Sequence, residues 1–95
     1  MATSSALRNL AAGFGQLSDP TRLGILKMLS AGPKSVTALC GGLGIKQPMA
    51  SHHLGLLRLG RMIVGTRKGK SVVYAADAES LKELASAIAK LTPRK

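Results

Sequence analysis

The fold class predicted by this sequence is mainly helical with one small β-hairpin, and three observations predict it. Apolar residues recur at helical spacing through most of the 95 residues. Helix start and stop residues punctuate that pattern at regular points. Once only, after Gly60, the period shortens from about 3.6 residues to 2. The expected order is helix, helix, helix, helix, strand, strand, helix.

Each element has its own justification. From about Ser4 to Gly15 the chain carries Leu7, Leu10, Ala11 and Phe14, with Leu17 continuing the stripe, and Gly13 and Gly15 end it. Asp19-Pro20 opens a second helix, because a carboxylate at the cap accepts backbone N–H groups and proline is preset for the first turn. That helix runs to about Ser30 and is expected to bury Leu23, Leu26 and Leu29 with help from Ile25, before Ala31-Gly32-Pro33 stops it. Ser35 caps a short third helix, Val36 to about Gly42, with Val36, Leu39, Cys40 and Leu43 inward. Its carboxyl end is expected to fray, since Gly41 and Gly42 each cost roughly 1 kcal/mol relative to alanine.

The fourth helix is the stretch around which the chain is organised. Gly44 and Gly60 bracket it, and Pro48 fits the first helical turn, where its missing N–H would have no partner. Ala50, Leu54 and Leu57 recur at i, i+4 and i+7 and must be buried, which leaves Gln47, Ser51 and His52 free to point outward. Beyond Gly60, Met62, Val64 and Thr66 alternate with Ile63 and Gly65, and Ser71 to Ala75 is β-branched and aromatic, so the two runs form a hairpin about Lys68-Gly69-Lys70. Ala78 to about Leu91 returns to helical spacing with Leu81, Leu84, Ala85, Ile88 and Leu91. Residues 35–59 thus form a helix-turn-helix and 61–75 a wing, within a single winged helix-turn-helix domain over 1–95. Met1 to Thr3 and the last three residues or so read as tails.

Charge narrows the function. The net charge is +10, and between Asp19 and Asp77 there are nine Lys and Arg residues and no acid. Such a one-sign segment repels itself unless it faces a polyanion, so nucleic acid comes first and an anionic membrane surface second. Phe14 and Tyr74 are too few for the stacking platforms that meet single strands, which favours duplex DNA. The single cysteine cannot form an intramolecular disulfide, no run approaches a membrane span, and Met1 to Ala6 is no signal peptide, so a cytoplasmic protein is expected. Four dispersed carboxylates offer no paired acid and base, which argues against an enzyme.

The residues resemble a known family at two places. Leu17-Ser18-Asp19-Pro20-Thr21-Arg22-Leu23-Gly24-Ile25-Leu26 is similar to the opening motif of ArsR/SmtB-type repressors, and Gln47-Pro48-Met49-Ala50-Ser51-His52-His53-Leu54 with Leu57-Arg58 resembles their recognition helix. The likeness runs from about Gln16 to Ala75. It implies a homodimer, paired through the first and last helices, that binds a palindromic operator as a repressor and is released by a sensed species. The sensing half of the likeness breaks down. Ser35 and Thr37 stand where arsenite-type members carry cysteines, only Cys40 remains of such a cluster, and the last helix lacks the histidines of zinc- and cobalt-type members.

These readings define the expected sites. Gln47, Pro48, Ser51 and His52 would meet bases or phosphates, Thr37 and Lys46 phosphates, and Arg67, Lys68 and Lys70 a phosphate track or minor groove. Leu7, Leu10, Phe14, Leu81, Leu84 and Ile88 would form the subunit interface. His53 is expected to pack against the wing. Cys40 is expected as a small core residue, with a thiol sensor as the alternative; neither a metal nor another cofactor is expected, and the inducer is unknown. Against sequence-specific regulation stand a sequence-tolerant architectural DNA binder and a winged-helix module that binds protein.

Overall fold

The computed structural model describes residues 4–93, so Met1 to Thr3, part of the amino-terminal stretch read for a signal peptide, and the last two tail residues lie outside the described residues. The elements are α1 (Ser5–Gln16), α2 (Pro20–Leu29), β1 (Lys34–Ser35), α3 (Val36–Leu43), α4 (Gln47–Leu59), β2 (Ile63–Lys68), β3 (Ser71–Ala76) and α5 (Ala78–Lys90). This is the expected winged helix-turn-helix with one addition: Lys34 and Ser35 pair antiparallel with Tyr74 and Val73, making a three-stranded sheet of order β1-β3-β2. A two-residue strand between a proline turn and a helix cap is too short to show a period.

Local chemistry sets the element ends. Ser4, Asp19, Ser35 and Asp77 each accept a backbone N–H three residues on, capping α1, α2, α3 and α5. The hairpin closes through the two-residue loop Gly69-Lys70, with Gly69 at φ 64°, a conformation in which a side chain would be strained. Gly65 pairs across the strands with Tyr74, whose ring lies where a Cβ on Gly65 would stand, 2.9 Å from Cε1.

The core is continuous across the helix-turn-helix and sheet: Ile25, Leu26 and Leu29 from α2, Leu39 from α3, Ala50, Leu54 and Leu57 from α4, Met62 and Ile63 at the start of the wing, and Leu84 from α5. Leu23 is not part of it. Helical geometry puts Leu23 well round from the face shared by Ile25, Leu26 and Leu29, and the residue on that face is Arg22. Leu23 is half exposed instead.

The helix ends follow the sequence reading only in part: α1 runs through Gly13 and Gly15 to Gln16. The α3 helix runs to Leu43 and ends, as expected, on Gly44, at φ 66°, with Ile45 N donating to Cys40 O at 3.1 Å. Gly42 has a packing reason to be glycine, because a Cβ there would collide with the thioether methyl of Met28. At the end of α4 the left-handed residue is Arg61 (φ 61°) rather than Gly60, and Met62 N reaches back to Leu57 O at 2.9 Å. Gly60 instead makes room for Gln16, whose Nε2 would lie 3.1 Å from a Cβ there.

The molecule is elongated. The radius of gyration is 14.8 Å, against about 12 Å for a compact chain of this length, and the longest axis is 49 Å. No residue of α1 is fully buried, and α1 packs on α5, with Gly13 against the Leu84 side chain.

Gly41 tests this description of α3. It sits in a helix with nothing near its missing Cβ, so Gly41→Ala raises stability by about 0.5–1 kcal/mol in urea denaturation. Gly44→Ala, at positive φ, lowers it. An equal response to both substitutions would refute the termination described here.

Candidate nucleic-acid interface

Burial decides how α4 is presented. Ala50, Leu54 and Leu57 are sealed in the core, while Gln47, Pro48, Met49, Ser51 and His52 are all exposed. Lys46 stands at the N-cap without a side-chain hydrogen bond, unlike the caps of the other described helices. The first N–H groups of α4 are therefore open to an anion at the positive end of the helix dipole. Thr37 is exposed on α3, which packs on α4. Arg67, Lys68 and Lys70 are exposed at the hairpin tip. The expected polar and basic groups thus lie on α3, α4 and the wing, and all are accessible.

His53 is elsewhere than expected. It does not pack on the wing but turns toward the start of α2, where its Nδ1 lies 3.1 Å from Arg22 Nη1 and 3.8 Å from Asp19 Oδ2. Nδ1 thus faces both a guanidinium donor and a carboxylate acceptor, and which of them it serves is set by where the ring carries its proton. Arg22 also donates through Nε to Gln16 O at 2.8 Å, and Gln16 Nε2 donates to Leu56 O at 2.9 Å. The result is a hydrogen-bonded strap from the end of α1, across the start of α2, to the middle of α4. His52 meets His53 edge-on with ring centroids 5.2 Å apart, a packing contact, not a chelating pair. Sequence reasoning missed the strap, although a signal was present: Arg22 and His53 both fall three or four residues from buried positions on their helices. A polar residue on an apolar stripe needs a partner, and each is the other's.

The strap also perturbs Asp19. Its carboxylate accepts Arg22 N at 3.0 Å, and this bond, with lesser help from the charges of His53 and Arg22, outweighs desolvation and holds its carboxyl below the ordinary carboxylate value.

The expected interface residues divide. Leu7 and Ile88 are largely exposed on α1 and α5, as is Leu91. Leu10, Phe14 and Leu81 are partly covered by the chain's own core. Leu84 is only 6% exposed within the single chain, where it packs on Gly13. Cys40 is half-buried against the core on α3. Among the described residues no three metal-binding side chains come together, and no helix is long and apolar enough to cross a membrane.

The comparisons with known proteins agree with this geometry. The family model for bacterial regulatory proteins of the arsR family matches residues 19–61, from the α2 cap to the end of the helix-turn-helix. The transcriptional repressor SdpR of Bacillus subtilis is 33% identical over 70 residues, covering 74% of this chain and 78% of SdpR. This chain belongs to the arsR family. The regulator NmtR of Mycobacterium tuberculosis is 40% identical over 72 residues, 76% of this chain, but the match spans only 60% of NmtR. The homodimeric winged helix-turn-helix DNA-binding domain of a possible ArsR-family regulator from Mycobacterium bovis superposes with a TM-score of 0.76 at 25% identity, covering 96% of this chain and 90% of that one.

Acid titration tests the Asp19 contacts. Because its carboxyl ionises at lower pH in the folded chain than in the unfolded one, the stability it contributes is complete above the unfolded value, about pH 4, and is lost as pH falls through the folded value. Asp19→Asn keeps a competent cap but removes the ionisation, so the fall in melting temperature below pH 4 becomes shallower. An unchanged slope would mean the carboxylate is not held by these groups.

Proposed function

We propose that this arsR-family chain is a cytoplasmic, homodimeric repressor that reads a palindromic operator in duplex DNA through the amino end of α4 and is released by a signal. The observation that carries this reading is the asymmetry of α4: its apolar face is locked in the core while its uncapped, hydrogen-bonding amino end projects beside Lys46. That is the geometry that major-groove entry requires. Residues 35–59 act as the helix-turn-helix and 61–75 as the wing, with Gln47, Pro48, Ser51 and His52 at base edges and backbone, Thr37 and Lys46 on phosphates, and Arg67, Lys68 and Lys70 on phosphates or in a minor groove. Residues 1–16 and 78–92 supply the dimerisation helices.

Support for the dimer comes from the exposed Leu7 on α1, Ile88 on α5 and Leu91 at the α5 C-cap. Apolar residues left exposed on two helices that pack together invite a second copy. A two-fold axis there would set the two α4 helices on half-sites about 34 Å, one turn of duplex, apart or a multiple of it. The homodimeric Mycobacterium bovis neighbour supports the dimer, and the repressor SdpR supports the direction of regulation.

Selection on random duplexes, followed by fluorescence anisotropy, tests the reading. A palindrome should emerge, bound far more tightly than random duplex. Ser51→Ala with His52→Ala should erode that preference, at a cost of about 1–3 kcal/mol for each base-specific interaction removed. Lys68→Ala with Lys70→Ala should instead weaken binding to every sequence and flatten the salt dependence by roughly one log unit for each phosphate no longer neutralised. Equal affinity for all duplexes would identify an architectural binder, and an unaltered salt slope would remove the wing from the interface.

A further inference from the structure

The proposed DNA contacts leave one apolar side chain at the amino end of α4 unassigned. Met49 is half exposed and is not among the apolar residues that pack against the core. Its neighbours Gln47, Pro48, Ser51 and His52 are all exposed. At 3.6 residues per turn, Met49 lies about 60° round the helix from His52 and about 100° from the buried Ala50. It stands at the rim of the outward face, beside the residues proposed to enter the groove, and not over the core.

The second copy is not placed to cover it. The exposed Leu7 and Ile88 lie on α1 and α5, and Gln16 at the end of α1 meets α4 at Leu56 and Gly60. Leu56 is already about 10 Å beyond Met49 along the helix axis. The chain around Met49 has no acid between Asp19 and Asp77, so it matches a polyanion that also offers an apolar group. Duplex DNA supplies both. In its major groove the base edges present donors, acceptors and one methyl group, the C5-methyl of thymine. A thioether is only a weak acceptor and gains little from phosphates or from the polar base edges. Its unbranched, polarizable chain adapts readily to an apolar contact.

We propose that Met49 sets part of the operator sequence by packing its side chain on the C5-methyl of a thymine in each half-site. This rests on the DNA-binding function proposed above and deepens it, because it names the base and the group that is read. Met49 lies three residues before His52, about 4.5 Å along the axis. With about 3.4 Å between base pairs, the thymine falls within roughly two pairs of the one that His52 meets. Cytosine lacks the methyl, and a purine presents N7 instead. One orientation of an A·T pair is therefore preferred at that step.

The test pairs a change in the protein with a change in the DNA. Each thymine of the selected palindrome is replaced in turn, symmetrically, by deoxyuridine, which removes the methyl and keeps the pairing and O4, and affinity is read by fluorescence anisotropy. One such replacement should weaken binding by the unsubstituted chain about fourfold for each half-site, the effect of one buried methyl group. Met49→Ala should bind the unmodified duplex several-fold more weakly and be indifferent to that deoxyuridine, whereas Met49→Leu keeps the discrimination. The melting temperature of Met49→Ala should change little, because the side chain lies outside the core. A deoxyuridine penalty that persists undiminished in Met49→Ala, or a palindrome in which no thymine methyl contributes, would overturn the role of Met49 and leave the DNA-binding function standing. Equal affinity for all duplexes would overturn that function and the thymine contact with it.

Discussion

The structure depends on the burial of one face of α4. Ala50, Leu54 and Leu57 are almost wholly removed from water, and burying a leucine side chain is worth about 1.5–3 kcal/mol. These residues touch the interior shared by α2, α3 and the wing, so α4 cannot rotate without opening that interior. A helix fixed in this way must present its opposite face and its amino end in one orientation. Everything proposed about DNA follows from that constraint, since groove recognition needs donors and acceptors held at fixed positions relative to a duplex.

The polar strap adds direction to what burial supplies. Apolar packing alone tolerates small rotations, because dispersion and area burial are not directional. The bonds from Gln16 to Leu56 O and between Arg22 and His53 are directional, and they tie α4 to the α1–α2 junction. Movement of the end of α1 is thereby coupled to the recognition helix.

Most of the fold is legible in the sequence because caps and periods are local. Asp19-Pro20, Ser35 and Gly44 announce helix boundaries that the structure repeats, and the alternation after Gly60 announces the wing. What fails to show is long-range. Strand β1 is two residues whose pairing partner lies some forty residues away. Leu23 counts as apolar but lies off the buried face, and the contact of Leu84 with Gly13 joins residues seventy-one positions apart. His53 is expected on the wing when only its sequence neighbours are weighed, whereas its partner Arg22 is thirty-one residues distant. The exposed groups of α4 and the wing tip are legible for the opposite reason: exposure follows directly from not belonging to the apolar stripe.

Amide chemical-shift mapping during titration with a selected palindromic duplex tests the central claim most directly. The largest perturbations are expected at residues 46–52 and 67–70, with one duplex bound per two chains. Perturbations centred instead on the exposed faces of α2 or α5, with the amino end of α4 silent, would contradict it.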